Sequence, residues 1–477
     1  MMTGASFAFV GFGIVVALLV ALRRSLAWRQ AVLLAASVVF LATLSRDPLA
    51  YLPLLGFLGA GYLAVRAVGA RSARLVPILV VGVVLLFVWI KRYAFVPHGL
   101  WIPYAYVTVG LSYMLFRLLH LVIEAHDTPA LARLPVRDFL GYLIGFNTLV
   151  AGPIMFYDEY LETQRTLGEP VTEQDVGAGL ERIVVGLFKT NVLAALVAAE
   201  RVSALRILPE SGAPPDQLRA AIAIFALYPV FLYLNFSGYI DIVIGLSRLL
   251  GQRLPENFDR PFSAAGPIEF WNRWHITLSR WLKTYVFNPL LVALMRRFPG
   301  KQLETLWATV AFFVTFMLVG VWHGQTTAFL VFGVLQGLGV VVNKLHQVAM
   351  TRLLGRKRYG AVAKRGAYRG VARGLNYTWF AFTLTWFWGS WSEAAAIWST
   401  MGPKRWLAVW VAIVVGSACV LALWEQLRSR PAPRWVSGPG LVPLRARTAW
   451  LTTLFVVVAL TVWLSTSDAP AIVYRDF

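Results

Sequence analysis

Long uncharged apolar runs recur from one end of the chain to the other, each near the ~20 residues that carry a helix across ~30 Å of hydrocarbon. Few folds accept such a pattern. The charge content narrows them further: only 14% of the 477 residues are charged and 58% are hydrophobic. Soluble proteins carry charge at about a quarter of positions, and a chain so poor in it cannot clothe a water-facing surface of this size. The expected fold class is an all-α polytopic membrane protein of about 11–13 membrane segments, counting short ones that could be re-entrant.

The basic excess, 44 Lys and Arg against 23 Asp and Glu for a net +21, would point to nucleic acid in a soluble chain. Here its distribution matters more than its total. The first apolar run, about Ala5 to Leu22, has no basic residue before it, whereas Arg23, Arg24 and Arg29 follow. A cleavable signal peptide has the opposite order, so the run is expected to be a retained span with its N-terminus outside. Alternation then places Arg66, Arg71, Arg74, Arg133 and Arg137 inside, with the eight Lys/Arg between Arg352 and Arg373 and the cluster Arg428, Arg430, Arg434, Arg445 and Arg447. This satisfies the positive-inside rule, with Lys91-Arg92 and Lys404-Arg405 as exceptions. Both termini are expected on the outer side of the membrane, the partners being membrane lipids and no nucleic acid.

The single cysteine, Cys419, can form neither a disulfide nor a thiolate metal site within one chain; its apolar surroundings predict a small packing residue. No internal repeat or disordered linker is visible. Residues 1–477 therefore read as one integral membrane domain, with Pro431–Pro443 as a connector.

One stretch, residues 233–337, is not lipid-facing filler. It begins Asn235-Phe236-Ser237-Gly238-Tyr239-Ile240-Asp241 and leads into an apolar helix, Ile242 to Leu250. An aspartate at the head of a membrane segment is either functional or an interfacial helix cap, and both readings stay open. Leu254 to Pro261 is too polar to span. Gly266-Pro267-Ile268-Glu269 looks like a helix start. The expected helix carries Trp271, Trp274, Leu278, Trp281, Leu282 and Tyr285 at three- and four-residue spacing, with Asn272, Arg273, Thr277, Arg280 and Lys283 elsewhere around it. An aromatic face with cations describes a helix at the interface or lining a polar funnel. His275 lies within it and reads, on spacing alone, as structural or interfacial.

His323 ends the apolar run Thr305 to Trp322 and is followed by Gly324, which would let the backbone turn. An imidazole at that depth can take a hydroxyl proton near neutral pH, as acyl transfer to oxygen requires; a hydrogen-bonded packing histidine is the alternative. The six histidines show no HExxH or comparable metal-binding pair, and the chain has neither a GxSxG elbow nor a phosphate-binding glycine loop. No metal is expected.

At these same residues the sequence resembles the membrane-bound O-acyltransferase family, in the bacterial branch that contains alginate O-acetylation proteins and the teichoic acid D-alanyl transfer protein. Val150-Ala151-Gly152-Pro153-Ile154 with Tyr157 is similar to its AGPI-type turn. Asn235 to Pro261 follows its NFSGYxDIxIGLxxLLGxxLPENFxRP pattern. Phe270 to Trp281 follows FWxRWHISLSxW, and Gly320-Val321-Trp322-His323-Gly324 follows GxWHG. The resemblance implies a ring of tilted helices around a central funnel, with His323 as catalytic base and His275 lining the tunnel or positioning substrate. Asn235, Asp241, Trp271, Arg273, Trp274, Arg280 and Trp322 are the implied substrate-binding residues. Two departures, Gln325-Thr326-Thr327 after the histidine and Arg117-Leu118-Leu119-His120 earlier, leave donor and acceptor open.

The C-terminal tail, residues 470–477, ends Tyr474-Arg475-Asp476-Phe477 and is similar to a short aromatic motif of polysaccharide-acylation systems. It implies that Tyr474 accepts the acyl group and passes it on outside; an exposed tail with an interfacial tyrosine is the alternative. The expected reaction moves a short acyl group, acetyl first, from a cytoplasmic thioester to an extracytoplasmic polysaccharide. Acetyl-CoA would be co-substrate, with no bound cofactor. A periplasmic or extracellular acyltransferase, a glycan polymer and an acyl carrier protein are the expected partners. D-alanyl or lipid acyl transfer, or a non-enzymatic transporter or scaffold, are the alternatives.

Overall fold

The apolar runs are helical throughout. In the computed structural model, which describes residues 6–68, 74–429 and 441–464 (the side chains of 441–444 excepted), seven helical stretches are long and apolar enough to cross a membrane. They are Pro48–Val68, Glu173–Glu210, Pro214–Leu249, Glu304–His323, Thr327–Ala363, Pro403–Ser429 and Arg445–Leu464. Three shorter apolar helices, Phe7–Ala21, Leu26–Ala42 and Leu75–Ile90, accompany them. Among the described residues no β-sheet forms; an isolated bridge joins Phe258 to Trp274. The chain is an all-α, multi-pass membrane protein.

It divides into two compact units, Met1–Val192 with Asn235–Pro255 and Leu454–Phe477, and Leu193–Leu234 with Glu256–Thr453. The first holds α1 (Phe7–Ala21), α2 (Leu26–Ala42), α3 (Leu52–Val68), α4 (Leu75–Ile90), α5 (Leu111–Glu124), α6 (Val136–Ile144), α7 (Tyr157–Leu167), α8 (Glu173–Phe188) and the far half of α10 (Pro214–Leu249). Its helices meet through glycines. A β-carbon on Gly186 of α8 would lie 2.5 Å from the Gly238 carbonyl of α10, and one on Gly245 would lie 2.6 Å from that of Gly179. Small residues let backbones approach where lipid offers no hydrophobic drive.

Arg117, buried on α5, donates to the carbonyls of Tyr142, Leu143 and Thr148 at 3.0–3.2 Å, and so holds the approach to the Val150–Tyr157 turn. His120 accepts the Tyr157 N–H at 2.8 Å. Asn147 donates to Ser247 Oγ and Gln252 Oε1 at 2.8 and 2.9 Å. A buried cation surrounded by carbonyls avoids the larger penalty of an unpaired one. The unfamiliar Arg117–His120 sequence thus organises the turn.

The second unit holds α9 (Ala194–Glu210), the near half of α10, α11 (Pro267–Trp271), α12 (Ile276–Leu282), α13 (Asn288–Arg297), α14 (Glu304–His323), α15 (Thr327–Ala363), α16 (Gly366–Thr383), α17 (Thr385–Trp388), α18 (Trp391–Ser399) and α19 (Pro403–Ser429); a last helix, α20 (Leu441–Leu464), crosses the boundary. Here α14 packs along α15. A β-carbon on Gly333 would meet the Phe316 carbonyl at 2.6 Å, and one on Gly320 would collide with Phe329 O and Gly333 Cα.

Four expectations need correcting. Asp241 does not head a helix: α10 runs unbroken through it. The turn-like Asn-Phe-Ser-Gly sequence is helical because Gly238 is needed for close packing on α8. The expected aromatic helix after Pro267 is broken at residues 272–275, where His275 takes a left-handed φ of 46°. Gly324 turns the chain without a left-handed conformation (φ −179°); its lack of a side chain makes room for the Phe329 ring. Cys419 is exposed, as suits a helix only 11% buried.

Candidate active site

His323 is the last residue of α14 and is 2% exposed. Its ring packs against Trp322, with centroids 4.6 Å apart, and edge-on to Phe387 and Phe332 at 5.1 and 5.8 Å. The Gly320–Gly333 crossing, one turn before it, sets where this helix end lies.

His275 reaches the same place by a different route. The polar segment Glu256–Asp259 pairs with the turn around it: Ile276 N donates to Asn257 O at 3.0 Å, and Asp259 N to Arg273 O at 3.0 Å. Asn257 Oδ1 accepts from both Thr277 N and Thr277 Oγ1, at 3.1 and 2.7 Å. These bonds hold His275 in its left-handed conformation, and its ring, 1% exposed, meets Trp322 edge-on at 6.4 Å. Trp322 therefore touches both imidazoles.

A cavity of about 160 Å³ lies alongside, lined by Trp271, Leu278, Lys283, Phe312, Phe316 and Val319 among others. Val319 is one turn before His323 and Trp271 one turn before His275. The buried Trp271 Nε1–H has no acceptor among the described residues, and Lys283 contributes an exposed cation to the lining. A π-helical turn, Lys283–Phe287, follows α12; such turns often occur at functional sites.

The structure brings His275, His323 and Trp322 together, while Trp271 packs on Phe316 and lines the cavity. It treats the other expected residues differently. Trp274 is walled into an aromatic cluster with Phe258, Phe270 and Phe380 at 5.1–5.6 Å. Arg273 is engaged by Glu269 at 2.7 Å and by Ser263 Oγ at 3.1 Å. Nearby, the Arg260 side chain, hydrogen-bonded at 2.8 Å, holds the Asp259 carboxyl below its usual range. Arg280 is half-buried on α12. Asn235 and Asp241 belong to the other unit. Asn235 is fully buried in α10, and Asp241 accepts from Arg182 Nε at 2.9 Å and Lys189 Nζ at 2.6 Å. Tyr474 lies outside the described residues.

Asn257 and Phe387 were not singled out from sequence, and Lys283 stood there as one of several cations around the expected helix. Asn257 sits in a segment whose polarity was visible, but its partner Thr277 is twenty positions away.

The family model of membrane-bound O-acyltransferases matches residues 103–384, which include both histidines and the cavity. A teichoic acid D-alanyltransferase of Streptococcus thermophilus is 30% identical over 49% of this chain and 56% of its own length. A probable alginate O-acetylase of Pseudomonas fluorescens is 31% identical over 66% of this chain and 61% of its own. A peptidoglycan O-acetyltransferase of Helicobacter pylori is 28% identical over 51% and 43%. The chain thus spans about half the length of the relatives it matches. With a match to its family model that covers more than half of its residues, and with both histidines inside it, the chain belongs to the membrane-bound O-acyltransferase family.

Proposed function

We propose that this protein is an acyltransferase of a bacterial inner membrane. It moves a short acyl group, acetyl first, from a cytoplasmic thioester such as acetyl-CoA to a hydroxyl of an extracytoplasmic polysaccharide. The supporting observation is the pairing of two buried histidines on Trp322, with a cavity of about 160 Å³ in the same unit lined by Trp271, Lys283 and Val319. In this reading His323 takes the proton of the acceptor hydroxyl as its oxygen attacks the thioester carbonyl. The tetrahedral intermediate collapses, the C–S bond breaks, and the imidazolium returns the proton to the departing thiolate. His275 orients the acceptor. The Trp271 N–H is available to the carbonyl oxygen as charge develops on it, and Lys283 suits a phosphate-bearing donor.

The Pseudomonas and Helicobacter relatives, named for O-acetylation, favour acetyl; the Streptococcus relative supports a second reading in which D-alanine arrives on a carrier protein. A periplasmic or extracellular transferase and a glycan polymer are the proposed partners. Both termini lie outside in this reading; Arg273, Trp274 and Arg280 would act by shaping the wall of the substrate path, and Asn235 and Asp241 by holding the far half of α10 in its own unit. His323→Ala should lower transfer from radiolabelled acetyl-CoA at least ~10²-fold while the protein stays membrane-inserted and folded. Full transfer by that variant would refute the assignment.

A further inference from the structure

The second unit holds a larger cavity, about 400 Å³, which shares no lining residue with the smaller one. It lies between α11, α15, α16 and α19, and its walls are largely apolar: Pro267, Val342, Val371, Ala372, Leu375 and Trp410. Val342, Val371 and Leu375 are 63, 57 and 42% exposed, so the cavity is open to its surroundings. Two of its helices, α15 and α19, are long and apolar enough to cross a membrane, and an opening beside them faces lipid. One end has a different character. Beyond Gly355, where α15 kinks at φ 74°, the Tyr359 ring meets His346 edge-on at 6.3 Å, and its hydroxyl shares a hydrogen bond with that of Tyr368. His346 and Tyr368 both line the cavity, so the kinked segment Arg356-Lys357-Arg358 is held at its rim. On α16 the cavity face recurs at Tyr368, Ala372, Leu375 and Trp379; one turn earlier the same face carries Arg365, with Arg369 at its edge. Of the eight Lys/Arg between Arg352 and Arg373, Arg373 is bound by Glu425 at 3.1 Å. The other seven have no ion pair among the described residues, and the stretch contains no acid.

We propose that this cavity binds one anionic glycerophospholipid of the cytoplasmic leaflet, as a bound structural partner and not as a substrate. One acyl chain lies in the cavity between α15 and α16, and the phosphate lies on Arg365 and Arg369 beside the Arg356–Arg358 segment. A chain suits walls that offer few hydrogen-bonding groups, and polybasic clusters beside a span recruit anionic headgroups. A soluble anion would leave the apolar mouth uncovered. Pro267 begins α11, which leads into the His275 turn, and Gly339 and Val342 lie on the helix that packs along α14. An occupied cavity therefore supports both histidine-bearing segments, whatever group the protein transfers.

The test is native mass spectrometry of the full chain, extracted in mild detergent and offered equimolar phosphatidylglycerol and phosphatidylcholine of equal chain length. Wild type should retain one phosphatidylglycerol with at least ~10-fold preference. Arg365→Gln combined with Arg369→Gln should bring the two lipids close to parity. Ala372→Phe, which fills the cavity and leaves every charge in place, should lose the retained lipid. In nanodiscs, wild type should unfold at a higher temperature with phosphatidylglycerol present than in phosphatidylcholine alone, and Ala372→Phe should lose that difference. Phosphatidylglycerol with a photoactivatable acyl chain should cross-link to the peptide spanning residues 368–379 in wild type, which carries the test even where a variant does not fold. Equal retention of the two lipids by wild type, or no cross-link in that peptide, overturns the proposal. So does retention unchanged by Ala372→Phe, which would mark a headgroup contact at the surface alone. Displacement of phosphatidylglycerol by acetyl-CoA overturns it as well, by making the cavity a path for the donor.

Discussion

Gly333 on α15 lies against Phe316 on α14 so closely that a β-carbon added to it would sit 2.6 Å from the Phe316 carbonyl oxygen. The two helices cross with their backbones touching, and His323 lies less than two turns beyond. Gly333→Val should therefore push α14 aside. Overpacking of this kind costs about 1–3 kcal/mol, measurable as a lower unfolding temperature in detergent, and transfer should fall with it. Gly360→Ala, past the kink at Gly355 (φ 74°) and with nothing within 4 Å, should leave both unchanged or raise stability slightly.

The left-handed backbone of His275 separates two contributions of that residue. Asparagine tolerates this conformation and valine does not. His275→Asn should keep stability within about 1 kcal/mol of wild type while acyl transfer drops, because only the ring is lost. His275→Val should lose the ring and a further ~1–2 kcal/mol of stability. Chemical denaturation alongside a transfer assay distinguishes the two; equal stability for both variants would show that the turn is not strained.

Asp241 neutralises two cations, Arg182 and Lys189, and its side chain is 12% exposed. Asp241→Asn should destabilise the protein by about 2 kcal/mol, less than for a fully buried pair because all three side chains retain some solvent contact. Adding Lys189→Gln should recover part of that loss, since one of the two orphaned charges disappears. A double-mutant cycle by thermal unfolding measures the coupling.

The resemblance of the C-terminal tail implies a variant of the proposed reaction in which the phenolic oxygen of Tyr474 takes the acyl group before the glycan does. Mass spectrometry of protein turned over with acetyl-CoA should find the C-terminal peptide heavier by one acetyl group, and Tyr474→Phe should abolish that species. A wild-type peptide that never carries the group would exclude the relay while leaving direct transfer to a glycan intact.

Membrane class was legible because hydropathy reports burial in lipid directly, and His323 was conspicuous because it closes an apolar run; His275, inside a polar and aromatic segment, was marked by the family resemblance alone. The geometry around them was less legible. Spacing in Phe270–Trp281 reads as one amphipathic helix; the break at His275 depends on Asn257, and a bond between distant segments leaves no periodic trace. Asp241 was ambiguous for the same reason: its cations lie 52 and 59 positions earlier. Gly324 was read as a residue that lets the backbone turn, whereas its lack of a side chain serves the Phe329 ring.

Both imidazoles, Trp322 and the segment that clasps His275 come from a single compact unit of the chain. Bilayers fluctuate in thickness, and helices answer by tilting. Within this unit the Asn257 hydrogen bonds fix the segment around His275 and the glycine crossing fixes α14 on α15, and both ties resist such tilting. The spacing between the two histidines is consequently insulated from the mechanical state of the membrane, and membranes of different composition should alter how substrates arrive well before they alter the chemistry between the two rings.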